Sequence, residues 1–189
     1  MTTTLTPIPT ATEIPAGTWK TDPAHTRVGF AVKHMGVSTV RGEFREFDGT
    51  FEVGEDLSSS RAYGTVQAAS VDTNQPQRDE HLRSADFFGA EENPELRFES
   101  TSIEAIDEDS FRVVGNLAMN GVTNEVELLA EITGTDIGPA GEERLGLEVT
   151  GQVSRRDFKM KFDAALGSGN AVVGDKVKLA LDIAVIKGS

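Results

Sequence analysis

Residues 123–134, TNEVELLAEITG, alternate between apolar and charged side chains. Positions 126, 128, 130 and 132 place apolar side chains on one face, and positions 125, 127 and 131 place glutamates on the other. A period of two residues is that of a half-buried β-strand, and the helical period of about 3.6 residues does not fit it. The segment therefore predicts a strand with one face in a core and the other in water.

The same alternation recurs along the chain. It is found in segments 25–35, 37–53, 61–73, 95–106, 111–119, 145–153 and 177–185. In segment 37–53 the apolar parity shifts between Phe44 and Phe47, as one inserted bulge residue would cause. Turn-forming pairs such as Asn120-Gly121 lie between the segments. The pattern predicts about eight long antiparallel strands joined mostly by short hairpins.

Residues 76–89, PQRDEHLRSADFFG, interrupt this pattern. The acidic residues at 79 and 80 lie early in the segment and Arg83 lies late, a charge order that stabilises a short helix. Phe87 and Phe88 follow and make the end of the segment apolar. We expect one short helix near residues 78–86, laid across an opening in the sheet.

Strands of this kind must roll up or pair face to face to bury their apolar faces. Strands of roughly ten residues span about 33 Å, and sequential hairpins most simply form an eight-stranded antiparallel up-and-down barrel. A barrel of about eight strands is either filled by side chains or holds one small ligand. Several inward positions are small, which favours an apolar lumen over a filled core: Ala68, Ser70, Gly115, Ala130 and Gly151.

Composition excludes several classes of function. The chain of 189 residues has no cysteine, which rules out thiol catalysis and thiolate metal sites. Its formal net charge of −13 opposes binding to nucleic acid or to an anionic membrane surface. The length suits one domain, residues 18–189, preceded by a flexible leader rich in threonine and proline, residues 1–17.

The leader lacks both the basic residues and the apolar run of an export signal, and no segment of the chain approaches the length of a membrane-spanning stretch. These features predict a cytoplasmic protein without a membrane span. The leader has few large apolar side chains, namely Leu5, Ile8 and Ile14. Removal of residues 1–15 is therefore expected to leave stability nearly unchanged.

The chain contains no recognisable catalytic motif. Its histidines, His25, His34 and His81, lack the HxH, HxxxH and HExxH spacings of zinc sites, so no metal is expected. A GxSxG nucleophile motif is also absent. The runs RDE at 78–80 and RRD at 155–157 place arginine beside acid, where it forms either a salt bridge or an anion ligand.

A series of motifs gives the chain a resemblance to a known family. Residues 19–51 carry a tryptophan, a DPxHTxVxF run and a GxFxxFxG run. Further motifs follow in order: RDEHLRSADFF at 78–88, PELRFES at 94–100, GNLAMNGVT at 115–123, RDF at 156–158 and VGDKV at 173–177. Over about residues 19–186 the chain resembles the YceI-like family of lipocalin-like, polyisoprenoid-binding proteins. One departure is Lys159, because the family commonly has glycine at this position.

The resemblance implies a lipocalin-like barrel whose lumen binds a long isoprenoid chain, such as a polyprenyl lipid or an isoprenoid quinone. It implies a binding or carrier protein in lipid transport, without a cofactor or an established catalytic activity, and it is compatible with a homodimer. One alternative is a binder of fatty acids or amides. Another is an enzyme acting on the head group of the amphiphile, with a chemical cluster of His25, Arg78, Asp79 and His81.

Strand parity selects the side chains that would contact the hydrocarbon, because the opposite faces carry charged residues that are costly to bury. The predicted lumen contacts are Phe30, Val32, Phe98, Leu117, Met119 and Leu128, with Phe87 and Phe88 closing one end. At the mouth, the candidates for binding a polar or phosphorylated head are Arg78, His81 and Arg156.

Overall fold

The fold consists of β-strands and one α-helix, as seen in a computed structural model that describes residues 14–164, 166–168 and 171–188. The strands are β1 (Gly17–Thr21), β2 (Arg27–His34), β3 (Ser38–Phe44), β4 (Phe47–Val53), β5 (Arg61–Gln67), β6 (Val71–Asp72), β7 (Glu95–Ala105), β8 (Ser110–Met119), β9 (Val122–Ile137), β10 (Glu143–Ser154) and β11 (Val173–Lys187). The helix α1 (Pro76–Arg83) lies between β6 and β7. Short 3-10 turns lie at Pro23–His25, Leu57–Ser59, Ala68–Ser70 and Arg156–Phe158.

The strands close into an antiparallel barrel with eight positions in its wall. Three positions are each held by two consecutive short strands: β1 with β2, β3 with β4, and β5 with β6. The long strands β7 to β11 supply the other five, each paired with its neighbour in sequence. The ring closes where β11 pairs with β1 and β2. This arrangement confirms the predicted eight-stranded up-and-down barrel with one short helix.

The wall is interrupted over two residues in segment 37–53, where the sequence predicted a single bulge residue. Arg45 and Glu46 both lie outside β3 and β4, and the next wall position is broken by the turn Ala68–Ser70. The two breaks are bonded to each other, since the Arg45 N–H donates to the carbonyl of Ser70 and the Glu46 N–H donates to its hydroxyl. These backbone donors therefore stay paired although both strands are interrupted.

The helix α1 starts two residues before the predicted segment 78–86 and ends three residues before its end. Its start is set by Gln75, whose side chain accepts a hydrogen bond from the Arg78 N–H, and by the proline in the first turn. Its end is set by Ser84, whose N–H and hydroxyl both donate to the His81 carbonyl. Within the described ranges, no helix has the length and apolar character that crossing a membrane requires.

One end of the barrel, called here the closed end, is packed around Trp19, which is 2% exposed. Ile14 is buried in the same cluster, and Trp19 Nε1 donates to the Pro15 carbonyl over 3.1 Å. Ile14 and Pro15 lie inside the predicted leader, residues 1–17, so this part of the leader contacts the barrel, and the effect of removing residues 1–15 on stability stays a prediction. The rest of that segment, residues 1–13, lies outside the described residues.

Candidate functional site

The barrel encloses an apolar lumen with a cavity volume of about 320 Å³. The lumen runs from the closed end, where Phe111 and Val185 line it, to the opposite end, where Phe87 and Met160 line it. This opposite end, called here the mouth, lies where β10 leads into the turn Arg156–Phe158. The sequence left open whether the barrel is filled by side chains or encloses a cavity, and the structure has a cavity. All of the predicted lumen contacts line it: Phe30, Val32, Phe87, Phe88, Phe98, Leu117, Met119 and Leu128.

Glycines in the wall make room for two of the aromatic rings in this lining. A Cβ placed on Gly115 would come within 2.6 Å of Phe98 Cζ, so the ring occupies the space that a side chain would take. Gly42 pairs with Phe30 across β2 and β3, and the Phe30 ring fills the corresponding space there. Each glycine keeps a ring against the wall, and the middle of the lumen stays open.

Two threonine hydroxyl groups in the lumen lining are already bonded to the backbone. Thr21 Oγ1 donates to the Gly49 carbonyl at 3.3 Å and accepts from the Gly49 N–H at 3.0 Å. Thr26 Oγ1 donates to the Ala184 carbonyl at 3.2 Å and accepts from the Ala184 N–H at 3.1 Å. Because these hydroxyls are engaged, the lumen around them presents mainly apolar surface.

Aromatic rings gather at the mouth, where α1 and the residues after it cross the barrel. His81 lies edge to face with Phe87 at 5.0 Å and with Phe162 at 4.8 Å between ring centres. The rings of Phe87 and Phe162 are 5.3 Å apart. Beside them, Phe88 packs edge to face against Phe44 at 5.4 Å. This aromatic cluster covers the mouth with apolar surface.

Arg155 is the one charged side chain of the described residues that is both buried, at 6% exposed, and part of the lumen lining. Its guanidinium donates through Nε, Nη1 and Nη2 over distances of 2.8–3.1 Å. The acceptors are the backbone carbonyls of Met160, Phe162, Val173 and Gly174. Arg155 therefore ties the segment after β10 to the start of β11.

The charge of Arg155 has no carboxylate beside it. None of the ion pairs among the described residues includes Arg155, although its neighbour Arg156 pairs with Asp163 and Asp175. Burial lowers the pKa of the Arg155 guanidinium, and the more distant charge of Asp175 opposes this effect. Arginine stays protonated at physiological pH, so a full positive charge lies at the mouth of the lumen.

Arg78, one of the three predicted head-group residues, lies outside the cavity lining and fastens α1 to the wall. Its Nε and Nη2 donate to the hydroxyl and the carbonyl of Thr73, both at 2.7 Å. The buried carboxylate of Asp79 accepts from the N–H and the hydroxyl of the same threonine. Thr73 thus joins the two adjacent helix residues to the end of β6.

His81 and Arg156 also lie outside the cavity lining. His81 Nε2 is 2.8 Å from a carboxylate oxygen of Asp86, and Arg156 is 67% exposed. None of the three predicted head-group residues therefore lines the cavity, and the structure places Arg155 there instead. Strand parity could have found this residue, because Val153 points inward and position 155 has the same parity.

In the chemical cluster of the enzyme alternative, His25 lies in the turn between β1 and β2, whereas the other three residues lie on α1. His25 Nδ1 bonds Asp22 Oδ2 at 2.7 Å in this turn. His81 lies in the aromatic cluster at the mouth, and Asp79 is bonded to Thr73. In the part of the chain that the structure describes, no group of three or more histidine, aspartate or glutamate side chains is placed to hold a metal ion.

The closed barrel and its apolar lumen define a protein built around a binding cavity. A family model of the YceI-like domain matches residues 19–185, and the chain belongs to this family. Protein YceI of Escherichia coli O157:H7 is 40% identical over 140 residues, which cover 74% of this chain and 73% of the relative. The UPF0312 protein plu2095 of Photorhabdus laumondii is 39% identical over 140 residues, which cover 74% and 72%.

Solved structures share the fold. The YceI protein of Campylobacter jejuni gives a TM-score of 0.71 at 30% identity and covers 89% of this chain and 96% of that chain. Burkholderia cenocepacia BcnA gives 0.74 at 18% identity, with coverages of 87% and 98%. A polyisoprenoid binding domain from Saccharophagus degradans, implicated in plant cell wall breakdown, gives 0.69 at 12% identity, with coverages of 90% and 98%. At these identities the last two show the fold alone.

Proposed function

We propose that this protein binds one long-chain isoprenoid lipid in the barrel lumen and acts as its carrier. The observation that carries this proposal is the apolar lining that continues from the mouth to the closed end. Membership of the YceI-like family supports it, as does the fold shared with the polyisoprenoid binding domain of Saccharophagus degradans. The ligand class includes polyprenyl lipids and isoprenoid quinones.

The energetics favour recognition by length and shape. A tail that buries about 400 Å² of apolar surface gains roughly 10 kcal/mol before any costs. The loss of translational freedom and the ordering of a flexible chain remove a large part of this gain. Since one methylene group contributes about 1–3 kcal/mol, chains that differ by a few carbons bind with graded affinities.

Extraction of the purified protein into organic solvent, followed by mass spectrometry, tests the proposal. Retention of one long isoprenoid, unchanged by incubation with the protein, is the expected result. A fatty acid or amide in its place would contradict the isoprenoid assignment. Turnover of an added isoprenoid lipid would contradict the carrier role and support the enzyme alternative.

A substitution tests whether the lipid binds in the lumen. Phe98→Asp places an unpaired carboxylate among the lining residues, which is costly beside hydrocarbon, so we expect lipid retention to be lost. Thr123→Asp is the matched control, because it adds the same charge at an exposed position of β9. Equal retention by wild type and a correctly folded Phe98→Asp variant would contradict binding in the lumen.

Other parts of the hypothesis stay predictions. These are the cytoplasmic location, the homodimer, and the head-group roles of Arg78, His81 and Arg156. Sedimentation of the purified protein distinguishes a monomer from a homodimer. The head-group roles require a ligand series, in which the tail is constant and the head changes.

A further inference from the structure

Arg155 makes the two ends of the lumen chemically different. We propose that the lumen holds its ligand in one orientation, with an anionic oxygen head, a carboxylate or a phosphate, at Arg155 and the tip of the tail beside Trp19. This inference rests on the proposed function, because it assumes that an amphiphile occupies the lumen. It narrows the ligand class to amphiphiles with an anionic head, which excludes isoprenoid quinones, and it gives the direction of the chain.

The hydrogen bonds of Arg155 leave part of the guanidinium available. A guanidinium carries five N–H donors, and four bonds to backbone carbonyls are formed here. The remaining donor is on Nη2, which has one partner among the described residues, the Val173 carbonyl. Because Arg155 lines the lumen, the guanidinium that carries this donor is within reach of a ligand at the mouth.

Backbone carbonyls satisfy the donors of Arg155 but do not neutralise its charge. A buried charge without a counter-ion is costly, and a negatively charged partner recovers part of that cost. The nearby carboxylates are engaged elsewhere: Asp175 accepts from the Ser154 hydroxyl at 2.6 Å, and Asp163 pairs with Arg156 at 3.5 Å. An oxygen anion on the ligand would form a charge-assisted hydrogen bond, which is stronger than a bond to a neutral head.

The closed end suits the opposite end of the ligand. Its cluster contains Trp19, Phe111 and Val185, and the last two of these line the lumen. Along β10, Leu145 lies at this end and Val153 at the mouth. Eight residues of strand span about 26 Å, or about 20 Å along the axis of a barrel with strands tilted by about 40°. The head and the tip of a bound chain are therefore far apart, and Trp19 lies near the tip.

The single tryptophan of the chain reports this orientation. Bromine quenches indole fluorescence at short range, so 16-bromohexadecanoic acid and 2-bromohexadecanoic acid form a matched pair of probes. We expect strong quenching of Trp19 by the acid brominated at the tail tip and weak quenching by the acid brominated beside the carboxylate. Equal or reversed quenching by two bound acids would overturn the orientation. If calorimetry detects binding of neither acid nor of an isoprenoid alcohol, the proposed function itself fails.

A second measurement tests the head group. Geranylgeranoic acid and geranylgeraniol share a tail. At pH 9 the acid is ionised and the alcohol is neutral, so the two ligands differ in head charge. We expect wild type to bind the acid at least about ten-fold more tightly, and Arg155→Gln to reduce this preference to about two-fold. Lys161→Gln, which removes an exposed cation near the mouth, should keep the wild-type preference. Equal wild-type affinities for acid and alcohol would overturn the assignment.

The ratio of the two affinities separates head-group binding from a structural role of Arg155. If Arg155→Gln merely loosens the mouth, the acid and the alcohol weaken alike and the ratio stays at its wild-type value, which would contradict the proposal. Arg155→Lys keeps the positive charge but lacks the planar guanidinium, so it should retain part of the preference for the acid over the alcohol. Loss of the preference in Arg156→Gln but not in Arg155→Gln would assign the head to Arg156 and overturn the role of Arg155.

Discussion

The ring of Phe98 lies over Gly115, its diagonal neighbour on the adjacent strand, and a Cβ on this glycine would stand 2.6 Å from Phe98 Cζ. Phe98 pairs directly with Leu117, and its ring reaches back along β8 to the position without a side chain. A large residue thus lines the lumen without crossing it. The combination of an aromatic ring with a glycine therefore helps to keep the cavity open.

Gly115→Ala should therefore reduce both stability and ligand capacity. The new Cβ meets the Phe98 ring and also the Glu99 carbonyl at 2.5 Å, and overpacking of this kind costs about 1–3 kcal/mol in the free energy of unfolding. Urea unfolding and the amount of lipid retained measure the two effects. Gly134→Ala is the control, because a Cβ there meets no atom within 4 Å. Equal effects of the two substitutions would contradict the role given to Gly115.

Ile14 should contribute to stability although it lies in the predicted leader. Its side chain is 8% exposed and packs in the cluster around Trp19 at the closed end. Ile14→Ala removes buried methyl and methylene groups, and we expect a loss of about 2 kcal/mol in the free energy of unfolding. Thr18→Ala, at an exposed position of β1, provides the comparison. Unchanged thermal melting of Ile14→Ala would show that the packing of this residue adds little.

Parity located the lumen side chains well where strands are long and regular. Phe98, Leu117 and Leu128 lie on β7, β8 and β9, and alternation along each strand identifies the face that lines the lumen. The interruption at Arg45 was harder to predict, because its bonds to Ser70 join residues far apart in sequence. No local pattern encodes such a pairing.

The residues at the mouth could be predicted less well. Arg155 shares the inward parity of Val153 but follows the last residue of β10, and parity does not show which groups its side chain bonds. Its acceptors are the carbonyls of Met160, Phe162, Val173 and Gly174, which no local sequence pattern assigns to it. The start of α1 depends on a side-chain cap from Gln75, a residue type that is not among the strongly preferred caps.

Lys159→Gly should stabilise the protein. Lys159 has φ of 56° and ψ of 24°, the left-handed conformation, at the end of the turn Arg156–Phe158. This conformation is unfavourable for a residue with a Cβ and open to glycine. We expect a gain of about 0.5–1 kcal/mol in the free energy of unfolding, less any entropy that glycine adds to the unfolded chain.

The control for Lys159 is Lys161→Gly. It is an exposed position outside regular structure, and its φ is not positive. Glycine at this position adds freedom to the unfolded chain without relieving strain. The stability of Lys161→Gly should therefore be equal to or below that of wild type. A loss of stability in Lys159→Gly as large as that in Lys161→Gly would contradict the interpretation.

Asp175 should make stability depend on acid pH. Its carboxylate accepts hydrogen bonds from the Ser154 hydroxyl at 2.6 Å and from the Arg156 N–H at 3.2 Å. These bonds, the first of them most strongly, hold the pKa of Asp175 below its ordinary value of 3.8, and partial burial opposes them. The folded state thus prefers the ionised form more than the unfolded state does.

The direction of the effect follows from linkage. A carboxyl whose pKa is depressed by folding contributes stability that is fully present above its unfolded pKa. That contribution is lost as the pH falls from about 5 through the unfolded pKa towards the lower folded pKa. Asp175→Asn should therefore lower the free energy of unfolding at pH 7 and flatten its decline between about pH 5 and pH 2.

Ser154→Ala provides the test of cause. If the hydroxyl of Ser154 is the main reason for the depressed pKa, this variant also flattens the decline in acid, and Asp175→Asn combined with Ser154→Ala adds little further. Urea unfolding at a series of pH values measures all three variants against wild type. A decline in Asp175→Asn as steep as in wild type would show that other carboxylates govern the acid sensitivity of the barrel.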